Sequence, residues 1–525
     1  MERSKIAQWL LIGLAALLFW QFGGGLFGKG GEDVQPNLLT DLPALDAKRA
    51  EEDFCTIKGA RFEAELSTHG ASLRHLRLTD PKYIARLQKD DPHYAERNGK
   101  PIDLVTTTRE WRSPLKTNLR LPSGDKQQVP ADNLDWKITE HNDESCTFVY
   151  EVEGTTKVTK VVRQTGKPFE LEVSLDVTNL AADPLKHRLT VEQTSWRTMK
   201  EMEGSLGRIS EHMTEVVAKT SEKTDRLATD AFEPKDFKEK EFTTEHWHRT
   251  SGDTKWVSVS SVYFTKVVAP LEGPSPSAET LIEEDWNRDA FTAASRTKDT
   301  ASHGYVFRAR LDYPEQELKQ NETRSYKMLS FAGPKERDIL ALVGQTADEA
   351  AQKKDSSLGM GEVINLGTFS PIAKVLVTYL GKLYQGVGSW GWSIALLTIT
   401  VRLLLFPLMF AQIKSTAGMR RLKPEMDEIN ARYKDDQTQK ALAIQELYRK
   451  HGLNPMAAMG GCIPVLLQMP VWFALYQTLQ TAVELYHVPF LSTRIIPDLS
   501  ERGEYFVIPA ILGASSFFQQ KLMPP

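Results

Sequence analysis

Cysteine, charge imbalance and catalytic motifs are what this 525-residue chain has least of. Its three cysteines, Cys55, Cys146 and Cys462, exclude the disulfide framework that staples small secreted domains. Cys55 and Cys146 read as two buried, unpaired thiols, although an oxidising periplasm would permit a bridge between them, and Cys462 reads as packing against a neighbouring helix. A formal charge of -4 creates no bulk field that would draw the chain to nucleic acid. No Ser/His/Asp constellation and no glycine-rich phosphate loop is visible. The one arrangement a metal could use is His246-Trp247-His248, where period-2 alternation puts two imidazoles on one strand face. Without a matching cysteine or acid pair these read as solvated strand residues. No metal, no cofactor and no catalytic residue is therefore expected.

What the chain does contain is unevenly spread. Uncharged apolar stretches crowd the first 30 residues and everything after about residue 370, while the middle is dense in Lys, Glu, Asp and Thr. Arg3 and Lys5 precede an uncharged run over 6–27, long enough at about 1.5 Å per residue to span a bilayer. It reads as a membrane anchor over 1–28, with a cleavable export signal as the alternative, and either way the next domain is exported. A Gly-, Pro- and Asp-rich linker over 29–53 follows. Residues 61–66, 72–78, 147–152, 157–162 and 169–177 then alternate apolar with polar side chains between Gly, Asn and Asp breaks. That pattern predicts a large antiparallel β-sandwich over 54–345.

Beyond a linker, Ser370-Pro371 should open an amphipathic helix as N-cap and first-turn proline, completing a segment over 346–388. Its apolar stripe is Ile372, Val375, Leu376, Tyr379 and Leu383, suited to the membrane interface or to the sandwich. From 383 to 413 the only charged side chain is Arg402, and Trp390 and Trp392 stand where an interfacial belt would lie. A span over 389–413 would hold Arg402 about 15 Å below Trp392, near mid-bilayer. There a cation costs at least ~2.5 to 3.5 kcal/mol, so it needs water or many hydrogen-bond acceptors. Thr398 one turn away, Gln468, and Ser516 with Gln520 at i, i+4 can line such a hydrated groove. Residues 411–460 carry nine Lys or Arg against six Asp or Glu, which predicts a charged helical hairpin over 414–458 facing the cytoplasm. A third span over 459–484, an acidic outer loop over 485–504 and a fourth span over 505–525 complete one consistent topology. Two rival classes remain open: a membrane-anchored carbohydrate-binding or carbohydrate-active sandwich, which needs a cleft with paired acids, and a channel or transporter, which needs more spans and internal repeats.

Particular runs now carry a resemblance. Ser389-Trp390-Gly391-Trp392-Ser393, Val401-Arg402 through Pro407-Leu408, Met419-Arg420 through Leu422-Lys423-Pro424, Asn454-Pro455, Gly460-Gly461-Cys462 with Pro464, Gln468-Met469-Pro470 and Phe473-Ala474-Leu475-Tyr476 resemble the YidC insertases of bacterial inner membranes. The resemblance covers essentially the whole chain. It implies a membrane α-helical insertase core plus a large all-β periplasmic supersandwich, with the amino terminus cytoplasmic. It further implies that Arg402 sits in a groove that receives the short, often acidic tail of a substrate. The substrate's transmembrane segment would slide into lipid past Val465, Leu466, Met469 and Phe473, and Arg420, Arg421 and Lys423 would open the cytoplasmic hairpin. The implied partners are nascent membrane proteins, ribosome–nascent chain complexes, the Sec translocon and the lipid bilayer, with no nucleic acid bound beyond ribosome contact. Family members continue through two further spans, so the chain reads as truncated before them.

Overall fold

The computed structural model describes residues 51–86, 94–107, 112–122, 128–130, 135–204, 209–229, 247–285, 304–345, 358–434, 436–451, 463–490, 496, 498–500 and 507–522. The chain divides into two compact units, Met1–Asn365 and Leu366–Pro525. The expected anchor over 1–28, most of the linker over 29–53 and Cys462 lie outside the described residues.

The first unit is antiparallel β throughout its sheets. One nine-stranded sheet runs Thr224–Leu227, Glu215–Thr220, Thr254–Ser260, Phe264–Glu272, Thr323–Pro334, Glu170–Asn179, Thr156–Gln164, Ser145–Val152 and Lys137–His141 from edge to edge. A second runs His248–Thr250, Ser277–Asp285, Gly304–Asp312, Leu185–Thr198, Thr117–Pro122 and Gln128–Pro130, with Gln316–Leu318 pairing beside Leu185–Thr198. A small third sheet holds Phe54–Gly59, Phe62–Ser67 and Ser72–Leu78. Alternation explains the layering: Leu171, Val173, Leu175 and Val177 are buried, and Glu172, Ser174 and Asp176 between them are half-buried on the other face. Polar side chains also cross between the two large sheets. Gln193 donates to the Val267 carbonyl at 3.3 Å, and the Lys160 ammonium to the Leu115 carbonyl at 2.6 Å and Thr117 Oγ1 at 3.0 Å.

Two sequence expectations change here. Cys55 and Cys146 are not free thiols but a disulfide, their Cα atoms 6.2 Å apart across a sequence separation of 91. The fold lays the first strand beside Ser145–Val152, a proximity that spacing along the chain does not encode. The sandwich unit also extends past 345. Trp256 Nε1 donates to the Leu358 carbonyl at 2.8 Å, Asn365 Nδ2 to Glu215 at 3.2 Å, and Met360 and Val363 are buried. In the metal candidate, His246 lies outside the described residues, and His248 Nε2 stands 3.5 Å from Asp225. Trp247 is buried, its ring beneath Arg310 and Arg308 at 3.6 and 4.6 Å.

The second unit is helical: α1 Ser370–Val387, α2 Trp390–Arg421, α3 Lys423–Arg432, α4 Gln437–Lys450, α5 Ile463–Thr481 and α6 Val507–Leu522. Phe369, not Ser370, occupies the N-cap of α1, and no side chain caps it. The buried stripe of α1 is Ala373, Leu376, Val377 and Leu380, turned from the expected one so that Val375 is exposed. Both sets have helical spacing, and packing against α5 and α2 selects between them. The charged stretch pairs α3 with α4 through Leu422, Leu447 and Tyr448, backed by Met426, Ile429 and Ile444. Asp436 caps α4 by accepting from Thr438 N and Gln439 N, both at 3.0 Å.

Candidate functional site

Helix α2 carries the site. The helix continues through Pro407 from Trp390 to Arg421, past the expected span and into the basic stretch. Its segment Trp390–Pro407 is, among the described residues, the one long and apolar enough to cross a membrane. Arg402 is exposed on this segment, beside the exposed apolar side chains of Leu403, Leu404 and Phe406. None of α1, α2, α5 or α6 contains an Asp or Glu. The guanidinium therefore has no carboxylate on any of these helices, and its charge stays available.

The hydroxyls near it are turned to their own helix. Thr398 Oγ1 donates to the Ile394 carbonyl at 2.9 Å and Thr400 Oγ1 to Leu396 at 2.9 Å, which satisfies their protons and leaves lone pairs free to accept. Thr400 also meets Tyr379 Oη at 3.3 Å, a polar tie between α2 and α1 that the sequence reading missed. On α5, Gln468 is half-buried and Met469 exposed, Phe473 stacks on Phe369 at 6.3 Å, and Trp472 on Tyr476 at 5.6 Å. Val465 and Leu466 lie in the first turn of α5. Arg420 and Arg421 end α2, and Lys423 opens α3. Every described side chain of α6 from Pro509 to Lys521 is exposed, and Ser516 and Gln520, spaced i, i+4, share one face of that helix.

A second polar constellation lies in the sandwich. Along Gly304–Asp312, Phe307, Ala309 and Leu311 alternate with Arg308, Arg310 and Asp312. Glu279 is fully buried between Arg310 at 2.7 Å and Arg249 at 2.5 Å. Glu192 takes a bidentate pair from Arg308 at 2.9 and 3.0 Å, Asp312 pairs with Arg188 at 2.9 Å, and Glu283 with Arg112 at 2.7 Å. Each of these carboxylates is held by arginine. The four acids, among the described residues, are therefore engaged in charge-assisted pairs within the sandwich.

One cluster was invisible beforehand. In the loop after α5, His487 Nδ1 is 2.5 Å from Asp498 Oδ2, and Ser500 Oγ donates to Asp498 Oδ1 at 2.6 Å. Burial works to raise the Asp498 carboxyl, but the hydrogen bonds from His487 and Ser500 outweigh it and hold it below the usual carboxylate range. The Asp-x-Ser turn at 498–500 was the only local signal.

Comparison with known proteins follows the same division. Residues 55–379 match the family model described as the YidC periplasmic domain, and residues 382–525 that of the 60Kd inner membrane protein. The membrane protein insertase YidC of Anaeromyxobacter dehalogenans is 32% identical over 484 residues, which cover 90% of this chain and 76% of that protein. That of Geobacter sulfurreducens is 29% identical over 468 residues, 88% of this chain and 75% of the relative. Among solved structures, an active YidC insertase with its first transmembrane domain resolved aligns over 91% of this chain and 83% of its own, at 16% identity and TM-score 0.34. A galactose mutarotase-like protein from Lactobacillus casei aligns over 53% of this chain and all of its own, at 11% identity and TM-score 0.32.

Proposed function

The chain belongs to the YidC family of membrane protein insertases, and from that premise we propose that it moves new inner-membrane protein segments into lipid through a hydrated groove centred on Arg402, alone or with the Sec translocon. As a member of an insertase family it is not an enzyme, and its substrates are membrane proteins. The observation that carries the groove is the exposed Arg402 within the apolar Trp390–Pro407 stretch, on a bundle whose helices α1, α2, α5 and α6 hold no acid. A mid-bilayer cation without a carboxylate is retained for function, because its insertion cost of about 2.5 to 3.5 kcal/mol or more has no structural return.

The mechanism follows from that charge. Water and the guanidinium lower the cost of drawing a polar, often acidic tail partway across the bilayer, with Thr398 and Gln468, and from α6 Ser516 and Gln520, offering further hydrogen bonds. The substrate's apolar segment leaves past Val465, Leu466, Met469 and Phe473, and its transfer to lipid supplies the driving force. In this reading the multi-pass chain keeps its amino terminus in the cytoplasm and the sandwich in the periplasm. The α3–α4 hairpin, with Arg420, Arg421 and Lys423 at its base, meets ribosome–nascent chain complexes. Photocrosslinking tests it: a probe at Gln468 or Phe473 should capture a ribosome-bound nascent membrane segment. Equal capture from a probe at Lys319 in the sandwich would refute the assignment.

A further inference from the structure

The Cys55–Cys146 bridge joins two different sheets: Cys55 lies on Phe54–Gly59, the edge strand of the small sheet, and Cys146 on Ser145–Val152 of the nine-stranded one. Strand register shows what surrounds the sulfurs. Cys55 and Ile57 stand opposite Leu66 and Ala64, so these four side chains share one face of the small sheet. Cys146 and Phe148 stand opposite Val162 and Lys160 and share one face of the large sheet. The bridge turns the two faces toward each other, and every one of these eight residues is buried. The docked sheets are further tied by Lys58 N donating to the Asp143 carbonyl at 2.7 Å, Trp136 N to the Thr68 carbonyl at 2.9 Å, and the Lys160 ammonium to the Ala71 carbonyl at 2.8 Å.

A disulfide in such a layer is not made where it stands. Exchange needs a thiolate to reach a sulfur atom, and at 1% and 0% exposure Cys55 and Cys146 admit neither oxidant nor reductant. We infer that the two cysteines are oxidised in the exported chain before the small sheet docks, by thiol–disulfide exchange with an external disulfide, and that docking then seals the bond against reduction. One cysteine thiolate attacks the oxidant's disulfide, forming a mixed disulfide and displacing one oxidant sulfur as thiolate. The other cysteine thiolate attacks that mixed disulfide, closes the Cys55–Cys146 bond and releases the second oxidant sulfur. Two electrons pass to the oxidant, and the two cysteine protons end on its two thiols. Maturation of the sandwich therefore depends on a dithiol-oxidising reaction outside the cytoplasm. The inference rests on the reading of the sandwich as exported, since such oxidants persist there. Because the bond closes a loop between residues 91 apart, it also disfavours the undocked chain.

The test follows the full chain, carrying Cys462→Ser, in growing bacteria, with free thiols trapped in denaturant by a maleimide that adds mass to each. Dithiothreitol added after synthesis should leave both remaining cysteines unlabelled. The same dose present during synthesis should give two labels, and a sandwich that protease added to spheroplasts digests about tenfold faster or more. With Cys146→Ser, the exchange has no second thiol and Cys55 should accumulate as a mixed disulfide. A protein adduct on a non-reducing gel, or a small-thiol adduct by mass, identifies the source of the oxidant; a Cys55 that stays free overturns the exchange. Equal labelling whether the reductant comes before or after synthesis overturns the seal, and unchanged digestion of the reduced chain overturns the dependence of maturation on the bond. Two free thiols without reductant, in a chain whose sandwich is cut from outside, overturn this inference alone. The same two thiols in a chain whose sandwich is protected inside overturn the exported placement with it.

Discussion

The sandwich and the helical unit treat charge in opposite ways. In the sandwich, Glu279 and Arg310 are buried together at 0% and 1% exposure, and Glu192 with Arg308 at 2% and 3%. In the helical unit, Arg402 stands alone on an apolar helix, and the helices around it offer no acid. A charge whose partner is built in contributes to one fixed structure. A charge left without a partner keeps its field for something that arrives later. Ion pairing of these arginines thus reads as architecture in the first unit, and in the second the proposed groove draws on Arg402, on whose helix and neighbouring helices no acid stands.

The sharpest way to break that contrast is to orphan a buried charge. Glu279→Ala leaves the buried Arg310 without its carboxylate and Arg249 with Asp312 alone, and the sandwich should lose about 3 to 5 kcal/mol in denaturant unfolding of the full chain. A loss below about 1 kcal/mol would mean the network is ornamental.

Next in size is a pH dependence peculiar to the sandwich. Burial pushes the Lys160 and Lys266 ammonium groups from 10.5 down to about 7. Between these values the unfolded chain binds more protons than the folded one, so stability should rise as pH climbs from about 7 toward about 10. Lys160→Met should flatten that slope in unfolding curves taken at pH 7 and 9.5; an unchanged slope would place the titration elsewhere.

The smallest effect sharpens the helical side. Arg402→Glu should reduce insertion of substrates with acidic tails about tenfold more than of neutral-tailed ones, a difference of about 1.4 kcal/mol. Equal losses would remove attraction from the mechanism and leave only hydration.

How far each feature could be read in advance depended on its range. Alternation along 169–177 and the uncharged run around Arg402 are local patterns with one physical interpretation each, and both regions fold accordingly. The N-cap of α1 slipped by one residue: Ser370 has the better capping side chain, yet the helix starts at Ser370 and leaves Phe369 in the cap position with no side-chain cap. Its buried stripe was misjudged because two apolar faces of equal spacing compete, and only α5 and α2 choose between them. The Cys55–Cys146 bridge joins residues 91 apart, and the His487–Asp498 pair spans a loop whose ends meet by docking on α2. The bridge has no local signature, and the pair has none beyond the Asp-x-Ser turn at 498–500.

By itself the sequence determined which segments alternate and which run apolar, and where a single arginine interrupts a span, because periodicity and burial cost act residue by residue along the chain. Tertiary structure alone decided which carboxylate each arginine meets, which thiols join, which face of α1 is hidden and where Phe490 comes to rest at Gly391. Those outcomes depend on distances between residues far apart in the chain, and such distances exist only once sheets and helices have packed.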